Sequence, residues 1–301
     1  MDPIEVALAR SRTIVLDGGL STQLELAGAD LEHPLWSAHT LLGNPGAVLS
    51  AHRAFLNAGA DVLITASYQV SFEGFAAQGL DATATADALR ASVAIAREAT
   101  GEVDGREPLV AASVGPYGAI LADGSEYRGN YGLTHDELVS FHRRRIDVLL
   151  DAGPDLLAIE TIPSIAETEA LVEVLADLPD ARTWFTFTCS DRATLADGTS
   201  FARAVETVAS SPQVIAVGVN CTPPTFITDL IGAARQETTK PIVVYPNRGG
   251  DWDPHTKHWL GAEGEGLADL APQWVSAGAS LIGGCCGTSA VDIEALVGAV
   301  S

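Results

Sequence analysis

The strongest constraint on the fold is an eightfold alternation of short apolar runs with longer stretches rich in Ala and Leu. The interiors of the runs are nearly continuous apolar sequence, as expected for parallel strands that are buried on both faces. The runs cover residues 13–19, 60–68, 108–116, 155–162, 183–190, 213–221, 241–249 and 279–287. Helix-like stretches between them include residues 85–100, 134–152, 164–177 and 289–300.

Eight strands and about eight helices in a chain of 301 residues predict an α/β fold, a single (β/α)8 TIM-type barrel. A doubly wound sheet is the alternative, but its first strand should end in G-x-G-x-x-G. The first run ends instead in DGGLST, residues 17–22. No shift in composition and no Pro- or Ser-rich linker divides the chain, so residues 1–301 are predicted to form one domain.

The charge of the chain excludes several classes of partner. Lys and Arg number 17 against 39 Asp and Glu, a formal net charge of −22. A chain this acidic repels phosphate backbones and anionic lipids, so we expect it to bind neither nucleic acid nor membranes. No apolar run approaches the roughly 20 residues of a membrane helix, and the N-terminus lacks the pattern of a signal peptide. We therefore expect a soluble cytoplasmic protein with small-molecule substrates; the sequence gives no indication of its oligomeric state.

Polar residues at the carboxyl ends of barrel strands are the expected place for function. The long stretches without a periodic pattern, 31–45, 117–133 and 248–265, follow strands and are predicted to be loops on the same face. The polar strand ends hold Asp17, Tyr68, Ser113, Glu160, Thr161, Cys189, Asn220, Cys221, Tyr245, Asn247, Cys285 and Cys286.

Three of the four cysteines lie at the ends of the sixth and eighth strands. Side chains of adjacent residues such as Cys285 and Cys286 point to opposite faces of a regular strand, so both can face one point only where the backbone is irregular. The glycines at 283, 284 and 287 permit such dihedrals. Together with Cys221, the adjacent pair Cys285 and Cys286 offers three thiolates and leaves one metal coordination position open, which is typical of catalytic zinc.

Two alternatives to this metal site stay open. Cys189, at the end of the fifth strand, would close a four-thiolate site, or the cysteines are ordinary buried residues. A Schiff-base aldolase is disfavoured because Lys240 precedes the seventh strand, on the opposite face. Glu160 ends an otherwise apolar strand, where an unpaired carboxylate is costly, so it needs either a substrate ammonium or an internal arginine.

At these residues the sequence resembles the homocysteine S-methyltransferase family of zinc-dependent barrels. The resemblance covers essentially the whole chain and is carried by Asp17-Gly18-Gly19, by Asn220-Cys221 and by GGCCGT at 283–288. The segments ITASYQ (64–69), SVGPYGAILADGSEYRGNY (113–131) and VVYPN (243–247) resemble the branch that uses S-methylmethionine. Gly287 departs from the arginine that some members of this branch carry, which leaves the donor open between S-methylmethionine and S-adenosylmethionine.

The resemblance implies Zn²⁺ bound by Cys221, Cys285 and Cys286, and methyl transfer from a sulfonium donor to homocysteine, a step of methionine biosynthesis. A thiol of pKa about 8.5 is mostly protonated at neutral pH, and zinc deprotonates a bound thiol. The resemblance also implies substrate-binding residues. Homocysteine would contact Asp17, the Gly18 backbone and Glu160, Asn220 is placed beside the substrate, and the aromatic rings facing the sulfonium would be Trp36, Tyr68 and Tyr117.

Two other classes of protein are compatible with the same residues. One is a zinc-thiolate barrel without catalytic activity, in which Cys189 should close the site. The other is a metal-free barrel enzyme such as a lyase, in which the cysteines belong to the core. For Trp36, packing within its loop is as good an interpretation as contact with the sulfonium.

Overall fold

Eight parallel strands form the centre of the fold in a computed structural model, which describes residues 2–300 except 12, 30–32, 34, 104, 250, 254–257 and 261–265. Each of these strands lies within one of the eight apolar runs of the sequence. They are β1 (Ile14–Val15), β2 (Val62–Ile64), β3 (Leu109–Val114), β4 (Leu156–Ile162), β5 (Thr183–Phe187), β6 (Val214–Asn220), β7 (Ile242–Tyr245) and β10 (Ala279–Ile282).

The order of the strands confirms the predicted barrel. Neighbours in the sheet run β1-β10-β7-β6-β5-β4-β3-β2, and all of these pairs are parallel. The two outer strands meet through a parallel bridge between Leu16 and Val62, where the Asp17 amide donates to the Val62 carbonyl at 3.1 Å. This closure distinguishes the fold from a doubly wound sheet, whose edges stay apart.

Helices surround the barrel, and one helix overlaps each of the four helix-like stretches named from the sequence, 85–100, 134–152, 164–177 and 289–300. Residue Thr134 caps the longest predicted helix through the reciprocal hydrogen bonds of a capping box with Glu137. The helices are α1 (Pro3–Arg10), α2 (Leu20–Leu26), α3 (Trp36–Gly43), α4 (Pro45–Asn57), α5 (Phe72–Ala77), α6 (Ala82–Thr100), α7 (His135–Asp151), α8 (Ile165–Ala176), α9 (Phe201–Ala209), α10 (Ile227–Glu237), α11 (Leu267–Ala277) and α12 (Ala290–Val300). In the described part of the chain none of them is long and apolar enough to cross a bilayer.

Two of the predicted loops contain regular structure. The expectation of an irregular stretch over 31–45 is wrong from residue 36 onward, because α3 lies there. No side chain caps α3, and its buried residues Ala38 and Leu41 pack in the main core, so tertiary contacts stabilise this helix. The stretch 248–265 contains an antiparallel hairpin of β8 (Asp251–Asp253) and β9 (His258–Leu260); residues 250, 254–257 and 261–265 of it lie outside the described residues.

The interior of the barrel is filled from its amino-terminal end. Ile4 of α1 is fully buried and packs with the inward-facing side chains of the strands. Higher up, Trp184 and Tyr245 meet edge to face, and the Trp184 indole N–H donates to the Tyr245 hydroxyl at 3.1 Å. These two large side chains close the barrel interior below the carboxyl ends of the strands.

Candidate metal centre and active site

A pocket opens at the carboxyl ends of the barrel strands and encloses about 860 Å³, its open mouth included. Four barrel strands, β2, β3, β4 and β7, contribute residues to it, and further residues come from the segments that directly follow β1, β6 and β10. The lining residues are Gly18, Gly19, Leu20, Ser21, Thr22, Trp36, Ser37, Ile64, Thr65, Ala66, Tyr68, Gln69, Ser113, Glu126, Tyr127, Glu160, Thr161, Cys221, Tyr245, Gly284, Cys285 and Cys286.

Three cysteine sulfurs converge in this pocket, as the sequence predicts. The Sγ atoms of Cys221, Cys285 and Cys286 all lie within 4.8 Å of one another. Cys286 Sγ lies 3.7 Å from Cys221 Sγ and 4.0 Å from Cys285 Sγ. Cys221 and Cys285 are joined as a disulfide. The group therefore consists of one thiol and one disulfide that yields two further thiols on reduction.

The backbone brings the sulfurs together by leaving regular strand geometry. Cys221, directly after β6, has a φ of +45°, and its amide donates to the Tyr245 carbonyl at 3.2 Å. Beyond β10, the Cys285 amide donates to the Pro246 carbonyl at 2.8 Å. The chain then turns at Gly287, whose φ is +81°. The predicted irregular backbone is therefore present at both strand ends.

Two of the three sulfur–sulfur separations fit a soft divalent metal, and the third, between Cys221 and Cys285, would do so only after reduction of the disulfide. Tetrahedral coordination with metal–sulfur bonds of about 2.3 Å separates the sulfurs by about 3.8 Å. The two distances from Cys286, 3.7 and 4.0 Å, agree with that spacing. Burial raises the pKa of the Cys286 thiol to about 11, and the carboxylates of Glu126 and Glu160 add to the shift. Since no Lys, Arg or His is among the described residues that line the pocket, a thiolate here gains its compensating charge from a bound cation.

Cys189 lies apart from this group. Its side chain is 5% exposed, its sulfur is not one of the three that converge, and its amide donates a hydrogen bond to the Thr222 hydroxyl oxygen at 3.0 Å. Burial raises the pKa of the Cys189 thiol, which is the behaviour of a small buried side chain. The four-thiolate alternative therefore finds no support in the described residues.

We expect Cys189→Ser to retain the full metal content of the wild-type protein. The substitution buries a hydroxyl in place of a thiol, so the free energy of unfolding should fall by about 1–3 kcal/mol. Metal analysis of the reduced, reloaded protein measures the first effect, and denaturant titration the second. Loss of the metal from this variant would show that Cys189 is a ligand after all.

Two buried carboxylates lie at the carboxyl ends of the strands, Asp17 just beyond β1 and Glu160 in β4; Glu160 lines the pocket, whereas Asp17 is not among its lining residues. Asp17 Oδ2 accepts a hydrogen bond from the Ile64 amide at 2.8 Å, whereas its buried Oδ1 has no partner. Glu160 Oε1 is hydrogen-bonded to the Ser113 hydroxyl, and the Tyr245 hydroxyl contacts the same carboxylate. Burial raises the pKa of Asp17 well above its usual value, with a contribution from the negative charge of Glu160, and raises that of Glu160 to about 7.

These carboxylates lack a cationic partner of the protein's own. Among the described residues no arginine, lysine or histidine forms an ion pair with Asp17 or Glu160. The internal-arginine alternative for Glu160 is therefore not supported. A buried carboxyl with a raised pKa in a cleft is typical of a ligand site, and an ammonium group is the partner that this pair lacks.

Asn220 is fully buried and does not line the pocket. Its Oδ1 accepts the Thr161 amide and its Nδ2 donates to the Thr161 hydroxyl, both at 2.7 Å. Thr161 has a φ of +61°, which is rare for a β-branched residue, and the pairing of β4 with β5 shifts register between Ile159 and Ile162. The Asn220 amide therefore stabilises the irregularity that presents Glu160 and Thr161 to the pocket.

Of the three aromatic residues predicted to face the sulfonium, two line the pocket and one does not. Trp36 and Tyr68 line the pocket, as expected for rings that face a ligand. Tyr117 is not among the lining residues. Its ring packs against Phe141 and Tyr131, with centroid distances of 5.0 and 5.4 Å. The position of the Tyr117 ring is therefore explained by its contacts with Phe141 and Tyr131.

The pocket also holds residues to which the sequence assigned no role. Glu126 and Tyr127 line it from the loop between β3 and α7, and Thr161 lines it beside Glu160. The position of Thr161 at the end of a strand could have predicted that it lines the pocket. A polar residue within a long loop has no such signal, because the sequence does not show which way the loop folds.

The barrel and this site together define a metal-thiolate enzyme that acts on small molecules. Residues 14–300 match the homocysteine S-methyltransferase family. The chain belongs to that family.

Similarity to individual members extends over nearly the whole chain. Homocysteine S-methyltransferase YbgG of Bacillus subtilis (strain 168) is 44% identical over 303 residues, which cover 98% of this chain and 96% of that protein. The metallated form of the homocysteine methyltransferase MmuM from Escherichia coli has a TM-score of 0.88 at 44% identity, over 98% of each chain. The oxidized form of the same protein has a TM-score of 0.90 at 44% identity, over 99% of each chain.

Proposed function

We propose that this chain transfers a methyl group from a sulfonium donor, S-methylmethionine or S-adenosylmethionine, to the thiolate of homocysteine, and so forms methionine. The observation that carries the proposal is the convergence of three cysteine sulfurs within 4.8 Å, together with two buried carboxylates without cationic partners at the strand ends. Homocysteine carries both groups that such a site selects, a thiol and an ammonium. Membership of the homocysteine S-methyltransferase family supports the same reaction.

We assign Zn²⁺ to Cys221, Cys285 and Cys286 in their reduced form. All-sulfur ligation favours zinc over magnesium or calcium, and three protein ligands leave one position for a substrate. When bound, zinc supplies the positive charge that keeps a thiol substrate deprotonated at neutral pH. The metallated form of the E. coli relative supports a metal in this pocket.

We assign the ammonium of homocysteine to Asp17 and Glu160. Asp17 offers the carboxylate oxygen that has no protein partner, and Ser113 and Tyr245 orient the Glu160 carboxylate. Gly18 lines the pocket beside them and brings its backbone to the substrate. Holding the amino-acid end of homocysteine aims its sulfur at the donor, and such positioning contributes several kcal/mol, roughly 7–11 at most.

The transfer itself is a displacement at the methyl carbon. The homocysteine thiolate forms the new sulfur–carbon bond while the bond from the methyl group to the donor sulfur breaks, and its electron pair stays on the donor. A positive sulfonium thus leaves as a neutral thioether, so no general acid is required. The rings of Trp36 and Tyr68 line the side from which the cation approaches, and each cation–π contact contributes about 0.5–2 kcal/mol.

The test measures zinc content and methionine formation on the same reduced protein. We expect about one zinc per chain and methionine formed from homocysteine with a sulfonium donor, both lost on chelation and restored by zinc. Parallel assays with S-methylmethionine and S-adenosylmethionine decide the donor. Zinc without turnover with either donor would indicate a non-catalytic zinc-thiolate barrel. Neither zinc nor turnover after reloading would indicate a metal-free barrel enzyme.

A further inference from the structure

Glu126 is a carboxylate of the pocket to which the homocysteine site gives no role. It lies in the 3-10 turn Ser125–Tyr127 and lines the pocket together with Cys286. Its Oε2 is buried and makes no hydrogen bond. A buried acceptor without a donor is costly unless a ligand supplies the partner.

The backbone around Glu126 is held in place by the loop itself. A Cβ at Gly118 would clash with the backbone nitrogen of Glu126, so the two segments of the loop pack against each other at that point. Asp123 Oδ1 accepts the Ser125 amide at 2.9 Å, and the Gly129 amide donates to the Ser125 carbonyl at 3.0 Å. The carboxylate is therefore presented from a preorganised turn, which lowers the cost of binding.

The surroundings of Glu126 leave its charge without compensation. Among the residues that the structure describes, none of those lining the pocket is basic. Arg128, the basic residue of the same loop, is exposed and pairs with Asp123 at 3.3 Å. Burial raises the pKa of Glu126 to about 7, Asp123 adds to the shift and Arg128 opposes it. A cation delivered by a ligand would stabilise the ionised carboxylate.

Glu126 stands apart from the pair that we assign to the homocysteine ammonium. Asp17 follows β1 and Glu160 lies in β4, whereas Glu126 lies in the loop between β3 and α7. Tyr127, next in the chain, is 40% exposed although it lines the pocket, which places this turn at the mouth. Glu126 thus lies in a turn at the mouth of the pocket that also contains the sulfur centre.

We propose that Glu126 binds the positive charge of the methyl donor. The inference rests on the proposed function and extends it to the second substrate. Homocysteine brings one ammonium, for which Asp17 and Glu160 are placed. A sulfonium amino acid brings two cationic groups, an ammonium and the sulfonium itself, and the carboxylate at the mouth is the anionic group left to meet one of them.

The test is Glu126→Gln in the zinc-loaded enzyme, with S-methylmethionine as the donor. We expect the KM for S-methylmethionine to rise about 10- to 100-fold, with the KM for homocysteine and the zinc content unchanged. Glu206→Gln, which makes the same change on the exposed face of α9, serves as the matched control. Glu126→Asp keeps the charge and is expected to retain most of the donor affinity, which separates loss of charge from misfolding.

Two inhibitors identify the cationic group that Glu126 contacts. 3-Dimethylsulfoniopropionate carries a sulfonium without an ammonium, and methionine carries an ammonium without a sulfonium. Selective loss of inhibition by the first assigns the sulfonium, and selective loss by the second assigns the ammonium; either supports the proposal. An unchanged KM for S-methylmethionine, or an equal rise in the KM for homocysteine, overturns it.

Failure of the proposed function is a separate outcome. If the zinc-loaded wild-type protein forms no methionine, the methyl-transfer reaction is wrong. Calorimetric titration of S-methylmethionine into the wild-type protein and Glu126→Gln then decides the binding role alone. Equal affinity of the two proteins overturns it, and weaker binding by the variant supports it.

Discussion

Replacing Cys286 with serine is expected to remove the metal and to abolish methyl transfer. A four-ligand zinc site of the structural kind binds with about 10–16 kcal/mol, so one ligand accounts for about 3 kcal/mol, roughly 100-fold in affinity. Loss of the metal charge beside the reacting sulfur should lower kcat/KM about 1,000-fold or more. Cys286 is the informative position because Cys221 and Cys285 are joined to each other, and changing either would also remove the disulfide.

The measurement combines zinc analysis and the rate of methionine formation after reduction and reloading. Cys189→Ser is the matched control, because it makes the same atomic change at a buried cysteine outside the sulfur group. Circular dichroism verifies that both variants fold. A Cys286→Ser protein with full zinc content and full activity would exclude the three-thiolate centre.

Glu160→Gln is expected to have the second large effect, confined to homocysteine. Removing one charge from a buried ion pair with a ligand costs about 2–5 kcal/mol, so kcat/KM for homocysteine should fall about 30-fold or more. The glutamine keeps the shape of the side chain and a hydrogen-bonding oxygen for Ser113 and Tyr245. The KM for the donor and the zinc content should not change. A parallel loss for both substrates would instead indicate a structural role.

The same carboxyl predicts a pH dependence of binding. Burial raises the pKa of Glu160 to about 7, and an ammonium binds to the ionised form. Affinity for an ammonium ligand should therefore fall about tenfold per pH unit below pH 7 and be level above it. The raised pKa has the opposite consequence for the empty protein: the stabilising contribution of the protonated group is complete below about pH 4.5 and is lost as the pH rises through about 7.

Homoserine is the ligand for this measurement, because its hydroxyl does not ionise in the range in which a thiol does. Calorimetric titration of the wild-type protein, Glu160→Gln and Glu206→Gln from about pH 5 to about pH 8 separates the contributions. We expect the affinity for homoserine to depend on pH in the wild-type and Glu206→Gln proteins and to be independent of pH in Glu160→Gln. A Glu160→Gln protein with the wild-type pH profile would mean that another group, such as Asp17, governs ammonium binding.

The barrel itself is predictable from the sequence. Parallel strands buried on both faces leave continuous apolar runs, and each of the eight barrel strands lies within one such run. The convergence of Cys221 with Cys285 and Cys286 is predictable as well. In a parallel barrel all carboxyl ends of the strands surround one mouth, so residues 64 positions apart in the chain meet through the topology.

Side-chain roles within the loops are not predictable in this way. Tyr117 was expected at the sulfonium, but its amide donates to Glu167 Oε1, 50 residues away, and its ring packs outside the pocket. Asn220 was expected beside the substrate, but its amide is occupied by Thr161, 59 residues away. Each outcome depends on a contact between distant segments, and a single sequence does not specify which of the possible partners is chosen.

The sequence by itself therefore determined the barrel, its closure and the strand ends that carry chemistry, because those properties follow from the period of burial and the direction of the strands. The tertiary structure alone decided that α3 is helical, that Asn220 supports Thr161 and that Glu126 faces the pocket. Loop conformation is set by long-range packing and hydrogen bonding, since loop residues lack the repeating burial that reveals helices and strands.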